Sequence, residues 1–287
     1  MHRPIGLAHL SALDVPPREL ITAAAEVGYS SVGVRVHPAT ASEERYPMTA
    51  HSPMSLHTRT ALAETGLKVF DVEVFTLDGV RGPDQWMPVL EAGAFLGADV
   101  LNVIGGDPQR ERLLDTLAHL VRDAAQFDIT ASIEPISYQH VDTFTDAAAV
   151  ARQSGCAIML DVLHFVRAGG TLADLDAAPE GAVRVIQLCD GPPSVPALQA
   201  PRTMPLGQNT NGSPRQIESR AKRLVPSTGS FPLVEILRAL PGVPISVEVP
   251  DVDFVDAHGA HAHLARLFTA TSELVASADH ETTEISR

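Results

Sequence analysis

Short β-branched runs alternate with longer Ala- and Leu-rich segments along nearly the whole chain, and this alternation constrains the fold more than any other feature. Eight strand-then-helix units can be marked, averaging roughly 36 residues each, which suits the repeating unit of an eight-stranded barrel. The predicted strands are 5–10, 31–36, 68–75, 100–104, 130–135, 157–161, 183–188 and 244–249. The pattern therefore predicts an α/β fold, a (β/α)8 TIM barrel in a single domain.

A doubly wound sheet is the alternative architecture, but the first strand lacks the glycine-rich phosphate loop that such a sheet usually carries. Residues 9–14 read His-Leu-Ser-Ala-Leu-Asp instead. We expect the barrel to span residues 1–276, followed by a polar, flexible tail over 277–287. Residues 191–230 hold seven prolines and are predicted to form a long irregular loop over the C-terminal face of the barrel, where loops of this length usually carry function.

The charge balance narrows the range of partners. Lys and Arg number 21 against 35 Asp and Glu, a formal net charge of −14, which disfavours a nucleic-acid partner because the phosphate backbone would be repelled. No apolar run approaches the roughly 20 residues of a membrane-spanning helix, and no signal-peptide layout is visible. Cys156 and Cys189 lie in apolar segments and are predicted to be reduced, which indicates a cytoplasmic protein. The expected partner is a small-molecule substrate.

Polar residues stand near the ends of four successive apolar strands: Glu134, Asp161, Gln187 and Glu248. The carboxyl ends of barrel strands meet at one face, so these side chains are expected to converge there. Three carboxylates in one place repel each other unless a cation joins them, and oxygen ligands suit Mn²⁺, Mg²⁺ or Co²⁺ better than Zn²⁺. We predict that these four residues bind one divalent metal ion. Each carboxylate could instead be buried against a backbone amide or an arginine.

These residues and their order resemble the xylose isomerase-like TIM-barrel superfamily, which includes sugar epimerases and isomerases, inosose and 3-dehydroshikimate dehydratases, and apurinic endonucleases. The resemblance covers nearly the whole chain. It is carried by Glu134, Asp161-Val-Leu-His164, Gln187-Leu-Cys-Asp190, Glu248, and a loop with Arg220, Arg223 and the segment 226–233. Two features depart from this resemblance. Many members have His where this chain has Gln187, and glutamine there resembles the 3-dehydroshikimate dehydratase branch. In the loop, Ser227-Thr228 replace the usual Gly-Glu pair.

The resemblance implies proton abstraction beside a carbonyl that the metal binds. Glu134 and Glu248 would then be paired acid/base groups as well as ligands, and His164 would bind a substrate oxygen or act as an acid or base. The hypothesis is a metal-dependent isomerase or epimerase of a sugar or polyol-like keto compound. A lyase that dehydrates a cyclic keto-polyol is the alternative within enzymes, and a non-catalytic small-molecule-binding barrel is the alternative of another class.

Four further charged residues are candidates for substrate binding. Arg35 and Glu73 interrupt the apolar second and third strands, and they could either face the substrate or form a structural ion pair. Arg167 and Arg223 could hold an anionic group of the substrate. Barrels of this sort often pair, so a homodimer is possible.

Overall fold

The computed structural model describes residues 3–285, and its eight parallel strands close into a barrel in which each strand pairs with the next and β8 pairs with β1. The strands are β1 Ile5–Leu7, β2 Ser31–Arg35, β3 Lys68–Leu77, β4 Val100–Gly105, β5 Thr130–Glu134, β6 Ala157–Asp161, β7 Val183–Leu188 and β8 Ile245–Val247. The predicted single-domain (β/α)8 barrel is confirmed. β1 is shorter than predicted because His9–Ala12 forms a 3₁₀ turn.

Helices surround the barrel. They are α1 Pro17–Val27, α2 Pro53–Thr65, α3 Pro83–Leu96, α4 Arg110–Ala125, α5 Phe144–Ser154, α6 Val162–Arg167, α7 Pro214–Ala221, α8 Leu233–Ala239, α9 Val252–His258 and α10 Ala260–Ile285. α2 and α5 each end at a glycine, Gly66 and Gly155, with φ of 74° and 77°. A residue with a Cβ rarely adopts this left-handed turn, so the glycines fix where the helices stop.

Two predicted segments differ from the structure. Residues 191–230 are not wholly irregular, because they contain α7 and a short 3₁₀ turn at Pro205–Gly207. The chain also stays helical through Ile285, beyond 276, where the flexible tail was expected to begin. Ala278 is part of the buried core and holds this part of α10 against the barrel. The end of the predicted tail, 286–287, lies outside the described residues.

The barrel interior changes character from its amino-terminal to its carboxyl-terminal end. Val100, Met159 and Val185 form a fully buried apolar cluster with Phe70. Further along the same strands the buried side chains are polar, and they include Asn102, Asp161 and Gln187. The polar layer therefore lies above an apolar floor, at the end of the barrel where active sites of this fold occur.

Cys156 and Cys189 are buried and unbridged, as predicted. Over residues 3–285, no helix combines the length and the apolar character that crossing a bilayer requires.

Candidate active site and metal centre

The four strand-end residues predicted as metal ligands are all buried at the mouth of the barrel. Glu134 and Asp161 are the last residues of β5 and β6, Gln187 is beside Asp161 in the register of β6 and β7, and Glu248 follows β8. Their exposed fractions are 5%, 0%, 1% and 4% in that order. Glu134 and Glu248 line one open cavity, which also has Arg35, Glu73, His164 and Arg223 in its wall.

Arg223 joins two of these carboxylates. Its Nη1 donates to Asp161 Oδ2 at 2.7 Å, and its Nη2 lies 2.8 Å from Glu248 Oε2. Its Nε donates to the carbonyl of Ser219 at 2.8 Å, so the guanidinium is fixed at both ends. The alternative to metal binding for each of these acids was burial against an arginine. Asp161 and Glu248 do pair with an arginine in the structure.

Two amide side chains orient the glutamates. Asn102 Nδ2 donates to Glu134 Oε2 at 2.7 Å, and Gln187 Nε2 donates to Glu248 Oε1 at 2.9 Å. The Gln187 Oε1 atom is left buried without a hydrogen-bond partner among the described residues. A buried acceptor without a donor is costly, and a cation would satisfy it.

The donor set fits a divalent cation. When all three are ionised, the carboxylates of Glu134, Asp161 and Glu248 carry two more negative charges than the one guanidinium of Arg223 offsets, and a divalent cation would supply the difference. Potential ligand atoms of Glu134, Asp161 and His164 all lie within 4.8 Å of one another. His164 thus adds a nitrogen donor that was predicted as an acid/base group and not as a ligand, and nitrogen donors also suit zinc.

The pKa values of these three acids are shifted in opposite directions. Burial raises the pKa of Glu134 to about 8, with the neighbouring Asp161 charge adding to the shift. Burial also raises the pKa of Glu248 well above its ordinary value, although Arg223 opposes the change. Burial would raise the pKa of Asp161 too, but Arg223 and His164 outweigh it and the pKa falls below its usual range. One ionised and two readily protonated carboxyls therefore share the site, an arrangement typical of acid/base chemistry.

His164 is neutral at physiological pH. Burial lowers its pKa to about 4, and three arginines add to the effect while Asp161 opposes it. Its Nδ1 lies 3.3 Å from Ser137 Oγ. Its backbone amide, with that of Leu163, donates to Asp161 Oδ1, so one carboxylate both begins α6 and holds the histidine in place.

Arg35 and Glu73 lie in the cavity wall as an ion pair. Arg35 Nη2 is 3.1 Å from Glu73 Oε2, and its Nη1 is 3.4 Å from Glu43 Oε1. Glu73 Oε1 also accepts from the backbone amide of His9 at 3.0 Å. The structure therefore contains the ion pair that the sequence suggested, at a position where either partner can still meet a ligand.

Arg167 lies outside the cavity wall, in contrast to its predicted role. Its Nε and Nη2 donate to the two carboxylate oxygens of Glu218, at 2.8 and 2.5 Å, and its Nη2 also donates to the carbonyl of Pro192 at 3.0 Å. Its guanidinium also stacks on the Phe231 ring. These contacts attach α6 to the long loop and use the donors that a substrate would need.

Several residues of the cavity wall were not predicted as site residues: Asn102, Tyr138, Gln139, Gln208, Ser219 and Arg220. Asn102 interrupts an apolar strand in the same way as the predicted ligands, so that signal was present in the sequence. Tyr138, Gln208 and Ser219 belong to loops or to α7, where no periodic pattern indicates which side chains face inward.

Comparisons with known proteins agree with the barrel. A family model described as xylose isomerase-like TIM barrel matches residues 21–271. No curated protein matches the chain. Among solved structures, the IolI protein with a bound zinc atom has a TM-score of 0.74 and 16% identity, over 97% of this chain and 99% of its own.

Two epimerases have the same fold. The D-allulose 3-epimerase from Methylomonas sp. superposes with a TM-score of 0.66 at 13% identity, covering 96% of this chain and 99% of its own. The 3-keto-D-glucoside 4-epimerase YcjR from E. coli superposes with a TM-score of 0.65 at 14% identity, covering 93% and 99%. Identities this low show a shared fold.

Proposed function

Given that the chain belongs to the xylose isomerase-like TIM-barrel family, we propose that it is a divalent-metal-dependent isomerase or epimerase of a sugar or polyol-like keto compound. One observation carries the proposal. Glu134 and Glu248 come from strands on either side of Asp161, line the same cavity, and both have raised pKa values. Two carboxyls in one cavity whose raised pKa values favour holding a proton suit removal of a proton from one carbon and its return elsewhere.

Each residue of the site would have a separate role in this reaction. Glu134, Asp161 and Glu248, with His164 or Gln187, would hold the metal. When bound, a divalent cation would polarise the substrate carbonyl and make the neighbouring C–H more acidic. One glutamate would remove that proton and the other would return it, while Asn102 and Gln187 fix the two carboxylates by the hydrogen bonds described above. His164, neutral at pH 7, would hold a substrate oxygen unless it binds the metal.

The relatives support this class of substrate and cofactor. The two superposed epimerases are named for a ketose and for a keto-glucoside, and the IolI structure holds zinc. The oxygen donors of this chain favour Mn²⁺, Mg²⁺ or Co²⁺, and the His164 nitrogen extends the range to Zn²⁺.

Gln187 favours a second candidate, a dehydratase of a cyclic keto-polyol. Glutamine at this position resembles the 3-dehydroshikimate dehydratase branch, and both reactions begin with the same proton abstraction. They differ in the next step, because a β-hydroxyl group leaves in the dehydration and the proton returns in the isomerisation.

The deciding experiment separates these outcomes in one assay. The protein is stripped of metal, reloaded with Mn²⁺, Mg²⁺, Co²⁺ or Zn²⁺, and incubated in D₂O with ketoses and cyclic keto-polyols. Isomerisation gives a product that incorporates deuterium and is otherwise unchanged in mass, whereas dehydration gives an ultraviolet-absorbing enone. A protein that binds none of these ions and catalyses no exchange would instead be a binding barrel, and the proposal would be wrong.

A further inference from the structure

The two ends of the cavity differ in charge. At the β2–β3 end, Arg35 lies between the carboxylates of Glu43 and Glu73, so its positive charge is more than balanced. At the opposite end, α7 brings Arg220 to the cavity wall, and the exposed Arg215 of the same helix contacts the backbone of Ser137. Among the side chains of residues 3–279, no carboxylate oxygen lies within 4.0 Å of either arginine.

Arg220 is held in place by neutral groups. Its Nη1 donates to the carbonyl of Asn209, and its guanidinium carbon lies 5.8 Å from the centre of the Tyr138 ring. Tyr138 Oη is in turn 2.8 Å from Ser219 Oγ. The guanidinium is half-buried and keeps donors that these contacts do not use, since it has five N–H groups in all.

Arg215 adds a second positive charge nearby. Its Nη1 donates to the carbonyl of Ser137 at 2.8 Å, the residue whose hydroxyl contacts His164. The acid of the same helix, Glu218, is already paired with Arg167 and cannot balance either arginine. Two arginines that lack a paired carboxylate therefore lie at the α7 end of the cavity.

We infer that Arg220, with the hydroxyls of Tyr138 and Ser219, forms an anion subsite, so that the substrate is a keto sugar or keto polyol carrying a carboxylate or phosphate at the end remote from the reacting carbons. The inference rests on the proposed function and specifies its substrate class. A guanidinium at the edge of a partly desolvated cavity forms charge-assisted, bidentate hydrogen bonds to an oxyanion, and a neutral hydroxymethyl group cannot replace them.

Three sugars that differ at one carbon test this inference. D-fructose, D-fructuronate and D-fructose 6-phosphate carry a hydroxymethyl, a carboxylate and a phosphate at C6, and their binding to the purified full chain is measured by calorimetry at low salt. We expect at least one anionic sugar to bind about tenfold or more tightly than fructose, because a charge-assisted bidentate pair is added. The stronger of the two anionic ligands identifies the class of oxyanion.

Variants assign the effect to Arg220. Arg220→Gln should remove the advantage of the anionic sugar, and Arg220→Lys should keep part of it, since the charge remains while the fork of donors is lost. Arg202→Gln is the matched control, because Arg202 is an exposed arginine of the same loop outside the cavity wall, and it should keep the full advantage. The inference is overturned if neither anionic sugar binds more tightly than fructose, or if folded Arg220→Gln or Arg220→Lys retains the full advantage.

Binding and turnover are read separately, so the two proposals can fail independently. If an anionic sugar binds tightly through Arg220 but no keto compound is ever converted, the subsite holds and the proposed reaction is wrong. If neutral ketoses are converted and anionic ones are not preferred, the proposed reaction holds and the anion subsite is wrong.

Discussion

Two arginines are buried in the mouth of this barrel, each between two carboxylates, yet their surroundings differ. Arg35 ends strand β2, and its backbone amide donates to His9 Nδ1 at 2.9 Å. Its partner Glu43 is held by the amide of Ala39 and by Gln208. Arg223 lies beyond α7 in the long loop, and its partners Asp161 and Glu248 are the strand-end acids of the candidate metal site.

The Arg35 cluster is closed by the chain itself. Glu73 accepts from the amide of His9, and Glu43 accepts from the amide of Ala39 and from Gln208, so the protein itself supplies further bonds to both acids. The Arg223 cluster differs in its donor geometry, because potential ligand atoms of Glu134, Asp161 and His164 lie within 4.8 Å of one another beside it, as a cation site requires. We expect the first cluster to serve stability and the second to serve chemistry, and four predictions test this division.

The largest expected effect is on turnover. Glu248→Gln should lower the rate of the reaction identified above by about a thousandfold, because an acid/base group is lost while the shape is kept. Glu43→Gln should chiefly lower the melting temperature and leave the rate within several-fold of the parent at 25 °C. Circular dichroism checks folding of both variants, and Glu235→Gln, at an exposed position of α8, is the neutral control. Loss of turnover in Glu43→Gln alone would reverse the assignment.

Replacing Arg35 and replacing Arg223 should differ in how far a metal ion restores the free energy of unfolding. Arg35→Met is expected to reduce the free energy of unfolding by about 3–5 kcal/mol, since two buried carboxylates lose their counter-charge. Arg223→Met should cost a similar amount without metal, but Mn²⁺ should recover much of it because the cation can replace the missing charge. Urea unfolding with and without MnCl₂ measures both. Equal recovery in the two variants would show that the clusters do not differ in this way.

Metal should stabilise the parent protein. At a free concentration a hundred times its dissociation constant, a bound ion adds about 2.7 kcal/mol to the free energy of unfolding. The melting temperature should therefore rise on adding Mn²⁺ and return on adding EDTA. Asp161→Asn should show little or no rise. A parent protein whose melting temperature is indifferent to Mn²⁺, Mg²⁺, Co²⁺ and Zn²⁺ would contradict the proposed metal centre.

The smallest effect concerns pH. Glu134 has its pKa raised to about 8, so it is mostly protonated at pH 7 and must release a proton to bind a cation. Metal affinity should therefore rise by about tenfold from pH 6 to pH 7 through the proton of Glu134 alone, and more steeply if Glu248 releases a second proton. Calorimetry in two buffers of different ionisation enthalpy counts the protons. An affinity that does not change with pH would mean that Glu134 is already ionised or is not a ligand.

The sequence predicted the barrel and the strand-end acids well for one physical reason. A polar residue in an apolar strand is visible against its neighbours, and parallel strands bring all such residues to one end. Asn102 had the same signal and was overlooked. Arg167 was misplaced because its partner Glu218 lies in the long loop, 51 residues away, and no local pattern indicates that contact. The side chains of α7 that line the cavity were not predicted for the same reason, because their direction depends on how the long loop packs on the barrel.

The position of Arg220 and Arg223, three residues apart on one segment, has a consequence for how specificity could change during evolution. A single short insertion or rotation of α7 would move both guanidinium groups together. The charge preferred in the substrate and the charge balance around the catalytic acids would then change in one step. The eight strands would keep their register, but Asp161 and Glu248 would lose the counter-charge of Arg223 unless a cation replaced it.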